Sequence, residues 1–316
     1  MPPERLPDDR AWLEKHLKPL LETGSALLAL DRDLPVHDPP TYDRGYWTGL
    51  KLIALKYYVR PYLNILAKRT RVGFVDLFAG PGLNRIGKRK VPIPGSPLLP
   101  LVVRETAQDR FFAHIFLCEQ DEKSFDALQQ RVRPHLPPSC GSKFFHGDAN
   151  DFVRTLPNLV NEFDIGHCLV FVDPEGLEWR WKSMQKLVED LPCDVIINFP
   201  SAGLQRNATK TDLATRRTIA DFLGIQVNEL PPSFDEEWAI RKYRSGLAEL
   251  GKNISTEIMI TDHGPFHYHL IPAVRQTFTG SQWFRLFKEL RDRVHGLHGG
   301  ILDLVAQQIE GKLGTL

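Results

Sequence analysis

Asp76-Leu77-Phe78-Ala79-Gly80-Pro81-Gly82 follows the short apolar run 73–77 and decides how the rest of the chain is read. Glycine lets a backbone pass close to a ligand, and a helix start after such a loop offers unpaired N–H groups. A dinucleotide fingerprint of the G-x-G-x-x-G type requires glycine at position 85, which is Arg85. An acid four residues before the first glycine suits a ligand carrying an ammonium group.

Working outward, β-rich apolar runs recur at 114–118, 143–146, 168–172 and 194–199, with helical stretches at 97–106, 122–136, 151–156 and 181–191 between them. Strands apolar on both sides that alternate with helices predict a parallel sheet covered on both faces. Residues 201–250 read as a polar helical insertion. The runs 255–261 and 267–274, joined by the turn 262–265, read as a hairpin. The expected architecture is therefore α/β: a Rossmann-like, mostly parallel sheet closed by a C-terminal antiparallel hairpin, as in class I methyltransferases. Upstream, helical spacing predicts helices at 11–28 and 46–68, with Pro61 as a kink in the second. The expected organisation is an extension over 1–45, a main domain over 46–275 and a helical segment over 276–316.

Ligands of open parallel sheets bind beyond the carboxyl ends of the strands. Each expected strand end carries chemistry. Asp76 precedes the glycines. Glu119 follows the second strand, where a carboxylate accepts both ribose hydroxyls of NAD or S-adenosylmethionine (SAM) alike. Asp148 follows the third, placed for an adenine amino group or for capping a helix beginning near Asp151, a role for which Asn150 competes. Phe78, Ala79, Gly80, Gly82 and Ala149 complete the expected cofactor set. The fourth strand ends in Asp173-Pro174-Glu175-Gly176. Asp173 and Pro174 match the start of the Asp-Pro-Pro-aromatic motif of amino-directed nucleic-acid methyltransferases. The second proline and the aromatic are missing, Glu175 is an alternative base, and Trp179 and Trp181 are candidate stacking or packing residues.

The segments FVDLFAGPG (74–82), GSPLLPL (95–101), FLCEQD (116–121), GDAN (147–150), FVDPEGL (171–177) and IINFP (196–200), with the lead-in KLIALKYYVRPYLNIL (51–66), resemble the three-Cys-motif partner (TcmP) proteins. The resemblance spans about residues 45–275 and implies a class I methyltransferase core with SAM as cofactor. It also implies a partner: a separate three-Cys-motif protein that resembles radical-SAM enzymes and is often encoded next door. The leading expectation is a SAM-dependent methyltransferase acting on a nucleic acid or nucleotide-like acceptor. The alternative is an adaptor that binds SAM or another nucleotide, inactive itself and working with the three-Cys protein. An NAD-dependent oxidoreductase is disfavoured by Arg85 and the terminal hairpin.

A formal net charge of +1 gives no global field toward polyanions, so nucleic acid, DNA or RNA, has to be held locally. The stretch between Gly82 and Gly95 reads as a long loop with four cations in six residues: Arg85, Lys88, Arg89 and Lys90. Ser96 reads as the N-cap of a helix with Pro97 at its first position. Cys118, Cys140, Cys168 and Cys193 have no CxxC pairing and read as buried thiols in a reducing compartment. His263, His267 and His269 cluster without an acid pair in register, so no metal site is assigned. With no apolar run near the ~18 residues of a span and no charged-then-apolar leader, the expected location is cytoplasmic.

Overall fold

The computed structural model of the chain describes residues 6–31, 39–104, 111–262, 266–276 and 281–313. In order, the elements are α1 (Leu6–Leu30), β1 (Tyr42–Arg44), α2 (Trp47–Leu66), β2 (Val72–Asp76), β3 (Leu83–Ile86), β4 (Val91–Pro94), α3 (Leu99–Arg104), β5 (His114–Glu119), α4 (Glu122–Val132), β6 (Gly141–His146), α5 (Ala149–Glu162), β7 (His167–Val172), α6 (Trp181–Asp190), β8 (Cys193–Phe199), α7 (Ser201–Asn207), α8 (Leu213–Leu223), α9 (Glu236–Glu249), β9 (Ile254–Ser255), β10 (Ile258–Thr261), β11 (His267–Val274), α10 (Ser281–Val294) and α11 (Gly299–Leu313).

The main sheet runs β10-β11-β8-β7-β2-β5-β6, with β9 added against β11. β6, β5, β2, β7 and β8 are mutually parallel, whereas β11 runs antiparallel to both β8 and β10. A reversed strand inserted between the fifth parallel strand and its neighbour is the class I methyltransferase arrangement. The expected strand 255–261 is divided at 256–257 into β9 and β10, which both pair antiparallel with β11 in one register.

Alternation along each central strand feeds two apolar layers. Phe74, Leu117, Leu169, Phe171 and Ile196 join one buried cluster with α1, α2, α3, α10 and α11. Val75, Phe116, Cys118, Val170 and Ile197 join the other with α5, α6, α8 and α9. The edge strand β6 is only partly buried. Helix α1 packs on β4 and α11, so residues of the N-terminal extension share the core of the main sheet.

Three expectations are corrected. The stretch 83–94 is a β-hairpin and not a loop: β3 pairs antiparallel with β4 and parallel with β1, forming a separate three-stranded sheet. The glycine loop therefore leads into a strand, and the helix start comes later, in a 3-10 turn at Ser96–Leu98 followed by α3. Ser96 is not its cap, since Gly95 occupies that position. Helix α5 runs from Ala149 through Pro157 to Glu162, longer at both ends than the expected 151–156. Proline also lies inside α1 (Pro19) and α2 (Pro61).

All four cysteines are free and buried. Burial pushes each thiol pKa up, Cys140 to about 12 and Cys193 to about 11, which leaves them unreactive near neutrality. Among the described residues no helix is long and apolar enough to cross a membrane.

Candidate cofactor and acceptor site

The carboxyl ends of β2, β5, β6, β7 and β8 open into one cavity of about 880 Å³, in the upper part of the ~300–1,000 Å³ range of small-molecule sites. Its floor is the loop Leu77 to Gly82. Gly80 and Gly82 have φ of +62° and +82°, a region that side-chain-bearing residues avoid. A Cβ on Gly80 would also lie 3.0 Å from the ring of Tyr42. The loop is pinned from several sides: Ala79 N–H donates to Cys118 O at 2.9 Å, and Gly95 N–H donates to Gly82 O at 2.7 Å. The second contact returns the chain to the loop after the hairpin, so the inserted β3 and β4 leave the loop-to-helix junction intact.

Glu119 is the keystone of this end. Its two oxygens accept from Gly80 N–H and Asp121 N–H, each at 2.8 Å. Burial raises its pKa, while those N–H groups oppose the rise. Asp148 lines the cavity and also caps α5, accepting from the Asn150 N–H at 2.7 Å and its side-chain amide at 2.8 Å. Asn150 does not compete for the cap; it lies inside α5 and ties it to Glu178 O, Arg180 N–H and Ser183 Oγ. Phe78, Ala79 and Ala149 also line the cavity.

Asp76 is placed differently from the direct contact expected of it. It is wholly buried and does not line the cavity; Oδ1 accepts from Phe78 N–H at 3.2 Å, and Oδ2 has no partner among the described residues. Burial lifts its pKa to about 7, nearby Asp173 adds to the rise, and Ser96 and Phe78 oppose it. Its position makes it a support for the loop.

At the other end, Asp173 Oδ2 accepts from Lys51 Nζ at 2.5 Å and Oδ1 from Asn198 Nδ2 at 2.7 Å. Lys51 and Asp173 side chains are each 14% exposed. The Asn198 Oδ1 is buried without a donor among the described residues. Pro174 also lines the cavity. Glu175 lines the cavity at its rim, 70% exposed and paired with Arg44, so it latches β1 to the β7 turn.

The two tryptophans considered for stacking lie outside the site: Trp179 is fully buried against Phe78, and Trp181 packs edge-on against Tyr243. The aromatic residues on the wall are Tyr42, Trp47, Phe78, Phe266 and Tyr268. Lys51, Trp47 and Phe266 carried no local signal and are brought in by α2 and the approach to β11, whereas Asn198 stands at the carboxyl end of β8. The four cations of the hairpin do not line the cavity, although Asn84 on β3 does. Arg89 pairs with Asp303 and Glu310, Lys90 pairs with Asp43, and Lys88 is exposed at the turn. His267 bonds Glu236 at 2.5 Å and His269 bonds Ser201 at 2.9 Å, while His263 lies outside the described residues. No cluster suited to a metal ion occurs among the described residues.

No protein-family model matches the chain, and no curated protein matches it. Among solved structures it is similar to Trm1 from Pyrococcus horikoshii in complex with S-adenosyl-L-methionine, at 11% identity and a TM-score of 0.40, over 74% of this chain and 57% of that one. It is similar to the O-methyltransferase from Bacillus cereus in complex with SAH, at 11% identity and 0.43, over 81% of this chain and 91% of that one. A type I restriction-modification methyltransferase subunit from Streptococcus thermophilus matches at 10% identity and 0.43, over 77% of this chain and 52% of that one. The chain thus spans little more than half of the first and third. The fold assignment rests on the strand order and polarity of its own sheet.

Proposed function

We propose that the chain is a SAM-dependent methyltransferase acting on a nucleic acid or nucleotide-like acceptor. The observation that carries this reading is one cavity joining the Gly80–Gly82 loop, Glu119 and Asp148 at one end to Asp173, Lys51 and Asn198 at the other. The residues present fit the cofactor. Each Glu119 oxygen holds one N–H and has a further lone pair for a ribose hydroxyl, and Asp148 supplies an acceptor for the adenine amino group. The loop backbone offers the close approach that the amino-acid end requires.

When bound, SAM supplies an electrophilic methyl group on a sulfonium. The protein then has to orient a nucleophile and accept its proton. Asp173 is the residue for both tasks, with Lys51 and Asn198 fixing its carboxyl group from two sides. The enclosing wall of α2 and the hairpin limits water at the reacting atoms.

A specific observation favours the adaptor reading as second choice: both Asp173 oxygens are already engaged and Glu175 is tied to Arg44. The resemblance to three-Cys-motif partner proteins supports a protein partner for either reading. The test is methyl transfer from labelled SAM to DNA, RNA and the three-Cys protein by wild type and Asp173→Ala. The methyltransferase reading expects transfer by wild type, none by the variant, and nearly equal SAH affinity. Wild type that binds SAH yet methylates none of them favours the adaptor.

A further inference from the structure

The turn after β7 lacks the aromatic residue that would stack on an acceptor, and both nearby tryptophans are in the core. The fold supplies aromatic surface from two distant segments. Trp47 opens α2, and Phe266 and Tyr268 stand at the start of β11. The Trp47 and Phe266 ring centroids are 4.5 Å apart at 40°, and those of Phe266 and Tyr268 6.0 Å apart at 74°. Tyr268 Oη donates to Trp47 O at 3.4 Å, fastening the hairpin to the helix.

Two features separate this cluster from ordinary core. It lines the same cavity as Asp173, Lys51 and Asn198, and Phe266 keeps 39% of its surface exposed. Beside these rings is an unfinished polar edge. Asn198 Oδ1 is buried without a donor among the described residues, a condition that costs free energy until a donor arrives. Lys51 spends one N–H on Asp173, and an ammonium has three. A flat apolar face next to a donor and an acceptor is complementary to a planar heteroaromatic ring. An aliphatic amine or a carboxylic acid would leave the rings uncovered.

We infer that the acceptor is a nucleobase-type ring, stacked on Trp47 and Phe266, with an N–H turned to the oxygens of Asp173 and Asn198 and a ring acceptor turned to Lys51. This rests on the methyltransferase reading and narrows its substrate class. The stacking face comes from the start of α2 and the terminal hairpin, in place of the residue after Asp173-Pro174. Lys51 then distinguishes rings that carry an acceptor beside the N–H from rings that do not.

The experiment uses the full chain saturated with SAH and four probes: adenosine, guanosine, cytidine and uridine at millimolar concentration. Binding is read by saturation-transfer NMR on the ring protons and by calorimetry. At least one nucleoside should bind wild type, and Phe266→Ser and Trp47→Ala should each weaken it about tenfold or more, the scale of one lost base–aromatic stack. Phe266→Tyr should restore binding, and Lys51→Met should reduce discrimination among the four. SAH affinity, measured separately, should hold in the Phe266 variants, whose exposed site makes misfolding a poor explanation. If SAH binds but no nucleoside does, or if both aromatic variants bind nucleoside like wild type, the ring proposal is overturned and the methyltransferase reading stands. Nucleoside binding without SAH binding overturns the cofactor assignment instead.

Discussion

Replacing Arg131 by Met should unfasten the cofactor loop from the N-terminal segment. Arg131, on α4, has a side chain only 1% exposed, and its partner Asp31 is 9% exposed. The pair is bidentate, Nε to Oδ1 at 2.8 Å and Nη2 to Oδ2 at 2.6 Å. From the same guanidinium, Nη1 donates to Pro40 O at 2.8 Å and to Pro81 O, inside the glycine loop, at 2.7 Å. Methionine keeps much of the apolar stem but leaves Asp31 buried without its cation and two carbonyls without their donor. Breaking one side of a buried pair costs about 3–5 kcal/mol, because the remaining charge stays out of water. Against a total stability of about 5–15 kcal/mol, that is a large fraction. Urea denaturation of wild type and variant measures it, and adding Asp31→Asn should recover part of the loss by removing the stranded charge. Calorimetry should also show weaker SAH binding, since Pro81 is no longer held. A loss below about 1 kcal/mol with unchanged SAH affinity would refute the assignment of Arg131 as the clamp between extension and loop.

Glu119→Gln turns an amide N–H toward one of two backbone donors, so it should cost about 1–3 kcal/mol in stability and weaken SAH by a similar free energy. Wild-type values in both denaturation and calorimetry would remove Glu119 from the site. At the amino ends of β7 and β8, Asp194 accepts from Tyr58 Oη at 2.8 Å, and burial raises its pKa from 3.8 to about 6. A carboxyl with a raised folded pKa stabilises below its unfolded value, and that contribution is lost as pH rises through about 6. Wild type should therefore lose about 2–3 kcal/mol relative to Asp194→Asn between about pH 4 and pH 7, and parallel pH profiles would contradict this. Nucleic-acid binding should respond little to serine at Arg85, Lys88, Arg89 and Lys90 together. With Arg89 and Lys90 held in ion pairs, the log-salt slope for a single strand should fall by at most about 1.4, two contacts at about 0.7 each. A fall of about 2 or more would mean that those pairs open onto phosphate.

The central strands β2, β5 and β7 are legible in the sequence because each is a run of apolar residues closed by an acid, and burial on both faces demands that pattern. Glu119, Asp148 and Asp173 fall on the cavity wall for the same reason: an acid directly after such a run sits at the carboxyl edge. The hairpin at 83–94 is hidden because Pro92, Pro94 and four cations surround its four buried apolar residues, Leu83, Ile86, Val91 and Ile93, and β3 does not alternate. The helix expected over 151–156 is longer in the structure, where the packing of Phe152, Leu156 and Val160 carries α5 through Pro157 to Glu162. Trp179 and Trp181 are near Asp173 in sequence, but the polypeptide turns them into the layer under α9. Lys51, Trp47 and Phe266 reach Asn198 at the end of β8 only through tertiary structure, which no local pattern encodes. Asp76 stands at the strand end as read, yet its side chain points behind the loop, a matter of one residue's direction at a turn.

Every role proposed for the site requires that the cavity take an S-adenosyl ligand. Isothermal titration of the full chain with SAH, beside NAD, tests this most directly, with a thermal scan in the same buffers. A ligand selective for the folded state stabilises it by mass action, so SAH should bind one to one and raise the melting temperature while NAD does neither. No heat and no shift at millimolar SAH, or binding of NAD in its place, would contradict the cofactor assignment and the acceptor site built on it.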